Sequence, residues 1–273
     1  MRSIHAVLAK QTTDIRRNRM VFLQFVIFPL IALAFTQLVA KPNPDIPDTM
    51  FITMFAALFA GMSVPVTMAS LVAEDRERGS LRLLVMAGVK PVNYLVGTGG
   101  AIGAISLIVA IAFTVMAWFS PAQAAKFLLV IMLGVVCSVL LGAAIGLLAG
   151  NQQAGTAIAM SVAVLVGFGP MLAQFSPAAG KVTAFLYTMQ VSRLANDPTS
   201  SLGRPLLIIA ANGAVLAALA IVAYRARGGA AKTEPAATTR DRRQPAPAAG
   251  QVTDGDLTPV LSARLLANPL WNR

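Results

Sequence analysis

The densest group of charged side chains in this sequence lies at residues 74–78, where three acidic and two basic residues are interspersed. A short apolar segment follows, with Ser80 as a candidate N-cap, Gly88 as a natural helix end and Pro91 just beyond it. This pattern predicts a short helix that is preceded by charged residues. The function expected of such a helix is to bind another protein. The charges taken alone favour a simpler interpretation, a solvated loop that only sets membrane topology.

Other kinds of site chemistry have little support in the sequence. Cys137 is the one cysteine and His5 is the one histidine, so an internal disulfide and a multi-histidine metal site are excluded. The apolar segments of the chain contain no histidine that could act as a base for a serine or cysteine nucleophile. We therefore expect a chain that is not an enzyme and that carries no cofactor and no metal.

The composition is that of a membrane protein. Of the 273 residues, 56% are hydrophobic and 12% are charged, whereas an ordinary soluble domain has about 25% charged residues. A membrane-crossing helix needs about 20 mostly apolar residues. Six stretches without Asp, Glu, Lys, Arg or His reach that length, at about residues 20–40, 50–73, 94–117, 127–149, 154–175 and 205–224. The sequence predicts an all-α polytopic membrane protein with six transmembrane helices.

The basic residues predict the orientation of these spans. With the spans placed, 17 of the 22 Lys and Arg residues fall on one side of the membrane. The positive-inside rule makes that side cytoplasmic and puts both chain termini there. Topology and attraction to lipid headgroups then account for the net charge of +11, so we expect membrane lipid as a partner and no nucleic acid.

Regions outside the six-span domain, which covers residues 20–225, have their own patterns. Residues 1–19 place several apolar side chains near one helical face, which predicts an amphipathic interfacial helix, although a plain basic anchor explains them equally well. Residues 226–273 are rich in Ala, Pro, Thr and Arg, which predicts a cytoplasmic and largely disordered tail. Residues 176–203 are the longest predicted outer segment, and Ser176-Pro177 suits the start of a short helix at the interface.

The absence of charge within the spans bears on the energy source. Ion-coupled carriers usually keep an ionisable residue at membrane depth, despite its cost. None of the six spans has one. The energy for any transport is therefore expected to come from outside this chain.

Uncharged polar side chains within the spans are the candidates for lining a substrate path. They are Gln24, Thr67, Ser70, Gln174 and Asn212. For each of them alone, a hydrogen bond between neighbouring helices is the commoner role.

A family resemblance gives the charged segment a more definite meaning. The run Asp75-Arg76-Glu77-Arg78-Gly79-Ser80-Leu81 resembles the acidic-basic-acidic-x-Gly-Ser/Thr-Leu signature that follows the second span of type-2 ABC export permeases. The first position departs from the family, which usually has Glu where this chain has Asp. Six spans, inward termini, an amphipathic N-terminal helix and a long last outer segment are similar to the family as well, over roughly residues 1–225.

The resemblance implies a coupling helix seated in a groove of a separate ATP-hydrolysing subunit. It assigns ATPase coupling to Asp75, Arg76, Glu77, Arg78, Gly79, Ser80, Leu81 and Leu84. Within that set we expect polar contacts with the ATPase from Asp75, Glu77 and Arg78. Gly79 would permit the sharp turn, and Leu81 and Leu84 would supply apolar docking. The outer segment with Phe185, Tyr187 and Met189 would correspond to the family's gate over the substrate path.

The sequence is therefore interpreted as the permease subunit of an ABC exporter in a bacterial inner membrane. The resemblance implies two ATPase copies, which bind ATP and Mg, and a second permease half, identical or different. Charge-free spans suit a hydrophobic or amphiphilic cargo, such as a drug, an antibiotic or a lipid-like molecule. Two alternatives remain open, a secondary multidrug carrier and a non-transporting membrane immunity or scaffold protein.

Overall fold

The computed structural model describes residues 19–197 and 201–233, with side chains over 23–173, 176–197 and 201–226. Every regular element within those ranges is helical. The predicted interfacial helix at 1–19 and the predicted tail at 226–273 lie almost wholly outside the described residues. The side chain of Gln174 lies outside them as well.

The described chain forms helices that follow one another with short connections. In chain order they are α1 (Arg19–Phe35), α2 (Met50–Leu58), α3 (Val64–Glu77), α4 (Ser80–Met86), α5 (Pro91–Met116), α6 (Pro121–Leu148), α7 (Gln152–Phe175), α8 (Pro177–Thr183), α9 (Tyr187–Asn196) and α10 (Gly203–Thr233). A π-helical turn, Thr36–Ala40, extends α1, and a second one, Phe59–Ser63, joins α2 to α3.

Six helical rods in this part of the chain are long and apolar enough to cross a membrane. They are Leu23–Ala40, Met50–Glu77, Pro91–Met116, Pro121–Leu148, Gln152–Ala173 and Gly203–Ala226. The predicted all-α fold with six spans is thereby confirmed.

The ends of the helices differ from the ends of the charge-free stretches. The helix of span 2 continues past residue 73 to Glu77, and α6 begins at Pro121, so that Lys126 lies inside it. The last helix runs to Thr233 rather than ending at 224. A helix can continue through charged residues as long as water reaches the charged groups of their side chains. The stem of a lysine side chain, for example, can lie along apolar surface while its ammonium group stays in water. A count of uncharged residues therefore underestimates helix length.

The second span is a single rod made of α2, the π-helical turn and α3. Pro65 has no N–H to donate to the carbonyl one turn earlier, and the wider π turn at Phe59–Ser63 lies directly before it. This rod is the most buried of the six. It is therefore the axis around which the other spans pack.

Glycines on α6 let it approach α3 closely. A Cβ on Gly146 would lie 2.6 Å from the Ala69 carbonyl oxygen, and a Cβ on Gly142 would overlap the Pro65 carbonyl. Their lack of side chains lets the two backbones pack together. Gly142 and Gly146 therefore lie in a close helix contact, whereas Gly150 faces open space.

The two ends of the bundle can be told apart by their connections. One end carries α4, the α6–α7 connection and the later part of α10, and we call it the α4 end. Hydrogen bonds from Gln152 to Glu77 and from Tyr224 to Val89 join these parts. The opposite end, which we call the α9 end, carries α8, α9 and the start of α10.

The predicted outer helix is in fact two helices. Ser176 caps α8 by accepting a hydrogen bond from Ala179 N, as its sequence suggests, and α9 ends at Asn196. The chain is extended at Leu186, with φ −77° and ψ 138°, which separates α8 from α9. Phe185 therefore lies in a connection rather than on a continuous helical face.

Candidate functional site

The turn between α3 and α4 depends on Gly79. Its φ is +73°, in the left-handed region where a side chain costs roughly 1–2 kcal/mol. Its N–H donates to the Arg76 carbonyl at 3.0 Å and closes the last turn of α3. Gly79 also occupies the N-cap position, so the prediction that Ser80 is the N-cap is wrong. Gly88, with φ +75°, ends α4 as predicted.

Asp75 is buried and holds the start of α4 against α3. The Ser80 hydroxyl donates to Asp75, whose backbone oxygen lies at 2.8 Å and whose Oδ1 lies at 2.9 Å. The Tyr94 hydroxyl on α5 donates to Asp75 Oδ2 at 3.1 Å. One carboxylate therefore joins α3, α4 and α5 by charge-assisted hydrogen bonds. The sequence predicts that Asp75 contacts a partner, but its oxygens face this chain, so we assign it a positioning role.

A second tie holds the other end of α4. The Tyr224 hydroxyl on α10 donates to the Val89 carbonyl oxygen at 3.1 Å, just after α4. The Tyr224 ring also contacts the Tyr94 ring, with centroids 5.7 Å apart. We call Asp75, Ser80, Tyr94 and Tyr224 the α4 clamp. It fixes both ends of α4 to the spans that contain α3, α5 and α10.

The two faces of α4 have different surroundings. Leu81 is buried in the hydrophobic core, and Leu84 and Val85 pack against that core. Leu83 and Met86 point away from it and are 65% and 58% exposed. Leu81 and Leu84 therefore serve this chain's own packing rather than the apolar docking predicted for them. The exposed apolar surface belongs to Leu83 and Met86, which the sequence pattern does not single out.

The charged residues at the end of α3 bond largely within the chain. Arg78 Nη2 lies 2.6 Å from Glu74 Oε1, although the Arg78 side chain is 72% exposed. Glu77 Oε2 accepts a hydrogen bond from Gln152 N at 2.8 Å, so Glu77 caps the first turn of α7. Arg76 is half-buried. Of the predicted polar contacts, Arg78 and Glu77 retain surface that a partner can reach.

Polar side chains predicted to line a substrate path join neighbouring helices. Thr67 Oγ1 donates to the Ser63 carbonyl at 2.9 Å and lies 3.4 Å from Gln24 Oε1 on α1. Ser70 Oγ accepts a hydrogen bond from Gln152 Nε2 at 3.1 Å. The structure places Thr67 and Gln24 together but Ser70 at the α4 end. These contacts are the inter-helix role that such residues most often have.

The predicted outer gate residues lie in two environments. Phe185 is 74% exposed and, with Met189, lines a cavity of about 670 Å³ at the α9 end. Asn212, a predicted path residue, donates from Nδ2 to the Phe185 carbonyl at 2.9 Å and fixes the backbone there. Phe185 and Met189 are therefore placed where a molecule could contact them.

Tyr187 is an anchor inside the bundle rather than part of that cavity wall. Burial raises the pKa of its hydroxyl, so the hydroxyl keeps its proton. Its oxygen lies 2.7 Å from Ser138 Oγ, and Ser138 donates to the Ala60 carbonyl at 2.5 Å. Since the serine proton is used in that bond, Tyr187 is the donor to Ser138. This chain of bonds ties α9 to α6 and to the π turn of span 2.

Most of the chain matches a known protein family. Residues 7–222 match the family model described as "ABC-2 family transporter protein". This range contains the charged end of α3, all of α4 and most of the six-span region. A comparison with curated proteins finds no match.

Proposed function

The chain belongs to the ABC-2 transporter family and is the membrane permease component of an ABC transporter, and from this premise we propose that it exports a hydrophobic or amphiphilic substrate. The family implies an ATP-binding cassette subunit as partner. In our proposal that subunit, in two copies, binds ATP and Mg and performs all hydrolysis, so this chain is not itself an enzyme. A second permease half, identical or different, completes the complex in a bacterial inner membrane.

The observation that carries the proposal is the outward face of α4. Leu83 and Met86 are large, apolar and exposed, and the exposed Arg82 directly precedes Leu83 in sequence. The exposed Arg78 precedes them across the turn. We call these four residues the docking surface. Apolar anchors beside arginines are typical of the centre of protein interfaces, which supports a groove of the ATPase as the occupant.

The α4 clamp supports a lever mechanism for coupling. Asp75 joins α4 to α3 and α5, and the bond from Tyr224 to Val89 joins it to α10. In the proposal, ATP binding closes the partner ATPases and moves α4. Because both ends of α4 are fixed, that movement passes to the spans as a tilt rather than being absorbed by bending. The tilt opens a path toward the α9 end.

The nature of the spans supports the proposed cargo class. The six charge-free stretches contain no ionisable Asp, Glu, Lys, Arg or His that could carry a proton or hold an ion. A hydrophobic molecule, or the apolar part of an amphiphile, can pass such walls without leaving a buried charge unpaired. The same feature favours ATP over an ion gradient as the energy source.

The docking step is tested by binding of the ABC ATPase encoded beside this chain. Leu83→Ala with Met86→Ala should weaken its association by on the order of 2 kcal/mol, or about 30-fold, because apolar contacts at an interface centre are lost. The matched control is Val115→Ala with Leu207→Ala, which removes exposed apolar surface at the α9 end. Equal affinities for the wild type and the α4 variant would contradict the proposed docking surface.

The exporter assignment is tested in reconstituted vesicles. Vesicles containing the permease and its ATPase are loaded with lipophilic dyes, and movement is measured with ATP, with a proton gradient and with neither. Dye movement that requires ATP supports the proposal. Movement driven by a proton gradient alone would instead support a secondary multidrug carrier. Dye binding without movement would support an immunity or scaffold protein.

A further inference from the structure

The cavity at the α9 end has the size of a small-molecule site. Its volume is about 670 Å³, within the range of roughly 300–1,000 Å³ that such sites usually have. It lies between the end of α7, α9 and the start of α10. Pro170, Phe185, Leu194 and Ile208 contribute apolar wall. An apolar molecule or the apolar body of an amphiphile fits this wall.

Two arginines bring positive charge to the same cavity. Arg193 from α9 and Arg204 from α10 both line it, and both are exposed. Within the described part of the chain neither guanidinium forms an ion pair. Asp197 is the one acidic residue among the described lining residues, which leaves the lining with a net positive charge. A cationic edge beside an apolar wall is complementary to an amphiphile with an anionic head group.

Side-chain amides hold the wall of the cavity in place. Gln190, which is buried, donates from Nε2 to the Ala184 carbonyl at 2.5 Å. Asn212 donates from Nδ2 to the Phe185 carbonyl at 2.9 Å. These two bonds fix the segment between α8 and α9 from both sides. A wall that is already ordered lowers the entropic cost of binding a ligand.

We propose that this cavity binds an anionic phospholipid, with the phosphate at Arg193 and Arg204 and an acyl chain against Phe185 and Ile208. Guanidinium groups suit this role because their planar array of N–H donors matches phosphate oxygens. The inference rests on the proposed function and deepens it, because it makes the exported substrate an anionic, lipid-like molecule. Lipid binding itself requires only the permease, so it can be tested without the ATPase.

The test is lipid binding to the purified permease in nonionic detergent. Fluorescent phosphatidylglycerol and phosphatidylcholine with the same acyl chains are titrated, and fluorescence anisotropy is measured. Phosphatidylglycerol should bind about tenfold more tightly, as expected for two partly solvated arginines near one net negative charge. Arg193→Gln with Arg204→Gln should make the two affinities equal. Thermal unfolding of each variant verifies that it is folded.

Further variants separate this cavity from general attraction to the membrane surface. Lys41→Gln with Lys181→Gln removes two exposed cations on the same predicted side that do not line the cavity, and it should keep the full preference. Ile208→Trp fills the cavity and should weaken phosphatidylglycerol binding. Inorganic phosphate should not displace the lipid, because it lacks an apolar body.

Four results would overturn the inference. In the first two, the arginine variant keeps its preference for phosphatidylglycerol, or the lysine control loses that preference. In the other two, Ile208→Trp binds phosphatidylglycerol as tightly as the wild type does, or inorganic phosphate displaces the lipid. A wild-type permease that binds the ATPase but does not prefer phosphatidylglycerol refutes this inference alone. Selective lipid binding by a permease that associates with no ATPase refutes the proposed function alone.

Discussion

Replacing Tyr94 with phenylalanine tests whether the α4 clamp fixes the coupling helix. The change removes the hydroxyl that donates to Asp75 Oδ2 at 3.1 Å and leaves the ring against Tyr224. Loss of a hydrogen bond to a charged, buried acceptor costs roughly 1.5–3 kcal/mol. Taking about 2 kcal/mol, the population in which α4 is detached should rise about 30-fold.

Hydrogen exchange of the α4 amides measures that population. The Leu83 and Ala87 amides donate to the Gly79 and Leu83 carbonyls, which belong to the same segment. Because an isolated seven-residue helix is not stable in water, detachment of α4 breaks these bonds and lets both amides exchange. Their exchange in Tyr94→Phe should be about 30-fold faster than in the wild type. ATP hydrolysis by the bound ATPase should also respond less to cargo.

Tyr187→Phe is the matched control for this prediction. It too removes a buried hydroxyl that bonds to another helix, through Ser138, but it lies on α9. It should lower overall thermal stability without changing exchange in α4. Unchanged α4 exchange in Tyr94→Phe, or equal acceleration of that exchange in both variants, would show that the Tyr94 hydroxyl does not fix α4.

Three further predictions concern the same region and the orientation of the chain. Gly79→Val should reduce cargo-stimulated ATP hydrolysis without preventing membrane insertion. The reason is that a β-branched residue at φ +73° destabilises the turn before α4 by at least about 1 kcal/mol. Gly79→Asn should retain more of this activity, because asparagine tolerates that φ better. Glu77→Ala should lower stability by about 1 kcal/mol in thermal unfolding, since it removes the acceptor for Gln152 N, and an unchanged melting temperature would contradict that capping role. A cysteine at Lys181 should react with an impermeant thiol reagent in intact cells and one at Arg78 should not; labelling at Arg78 alone would reverse the predicted orientation.

The six spans could be predicted from sequence because their signal is local. Each needs only an uncharged apolar run of sufficient length, and no knowledge of its neighbours. The C-terminal end of α4 could be predicted equally well, since Gly88 readily adopts a positive φ. The start of α4 could be predicted only to within one residue, because Gly79 rather than Ser80 is the N-cap. Helix ends near charged residues could not be predicted in this way, because Lys126 and Glu77 lie within their helices instead of ending them.

The orientation of α4 could not be predicted because it depends on tertiary contacts. Five of its seven residues are apolar, so the sequence does not show which face of α4 meets the core and which meets a partner. Packing against the core selects Leu81 and Leu84 for the inside and leaves Leu83 outside. The hydrogen bond between Tyr94 and Asp75 could not be predicted either, since Tyr94 is 19 residues further along the chain and lies on another span.

Crosslinking from α4 tests the central claim most directly. A photoactivatable crosslinker is attached to a cysteine at position 83, and in a parallel sample at position 207, in a complex assembled with the ABC ATPase encoded beside this chain. Both positions are exposed leucines, one on the docking surface and one at the α9 end. We expect a covalent adduct with the ATPase from position 83 and none from position 207. An ATPase that co-purifies with the permease but gives no adduct from position 83 would contradict it.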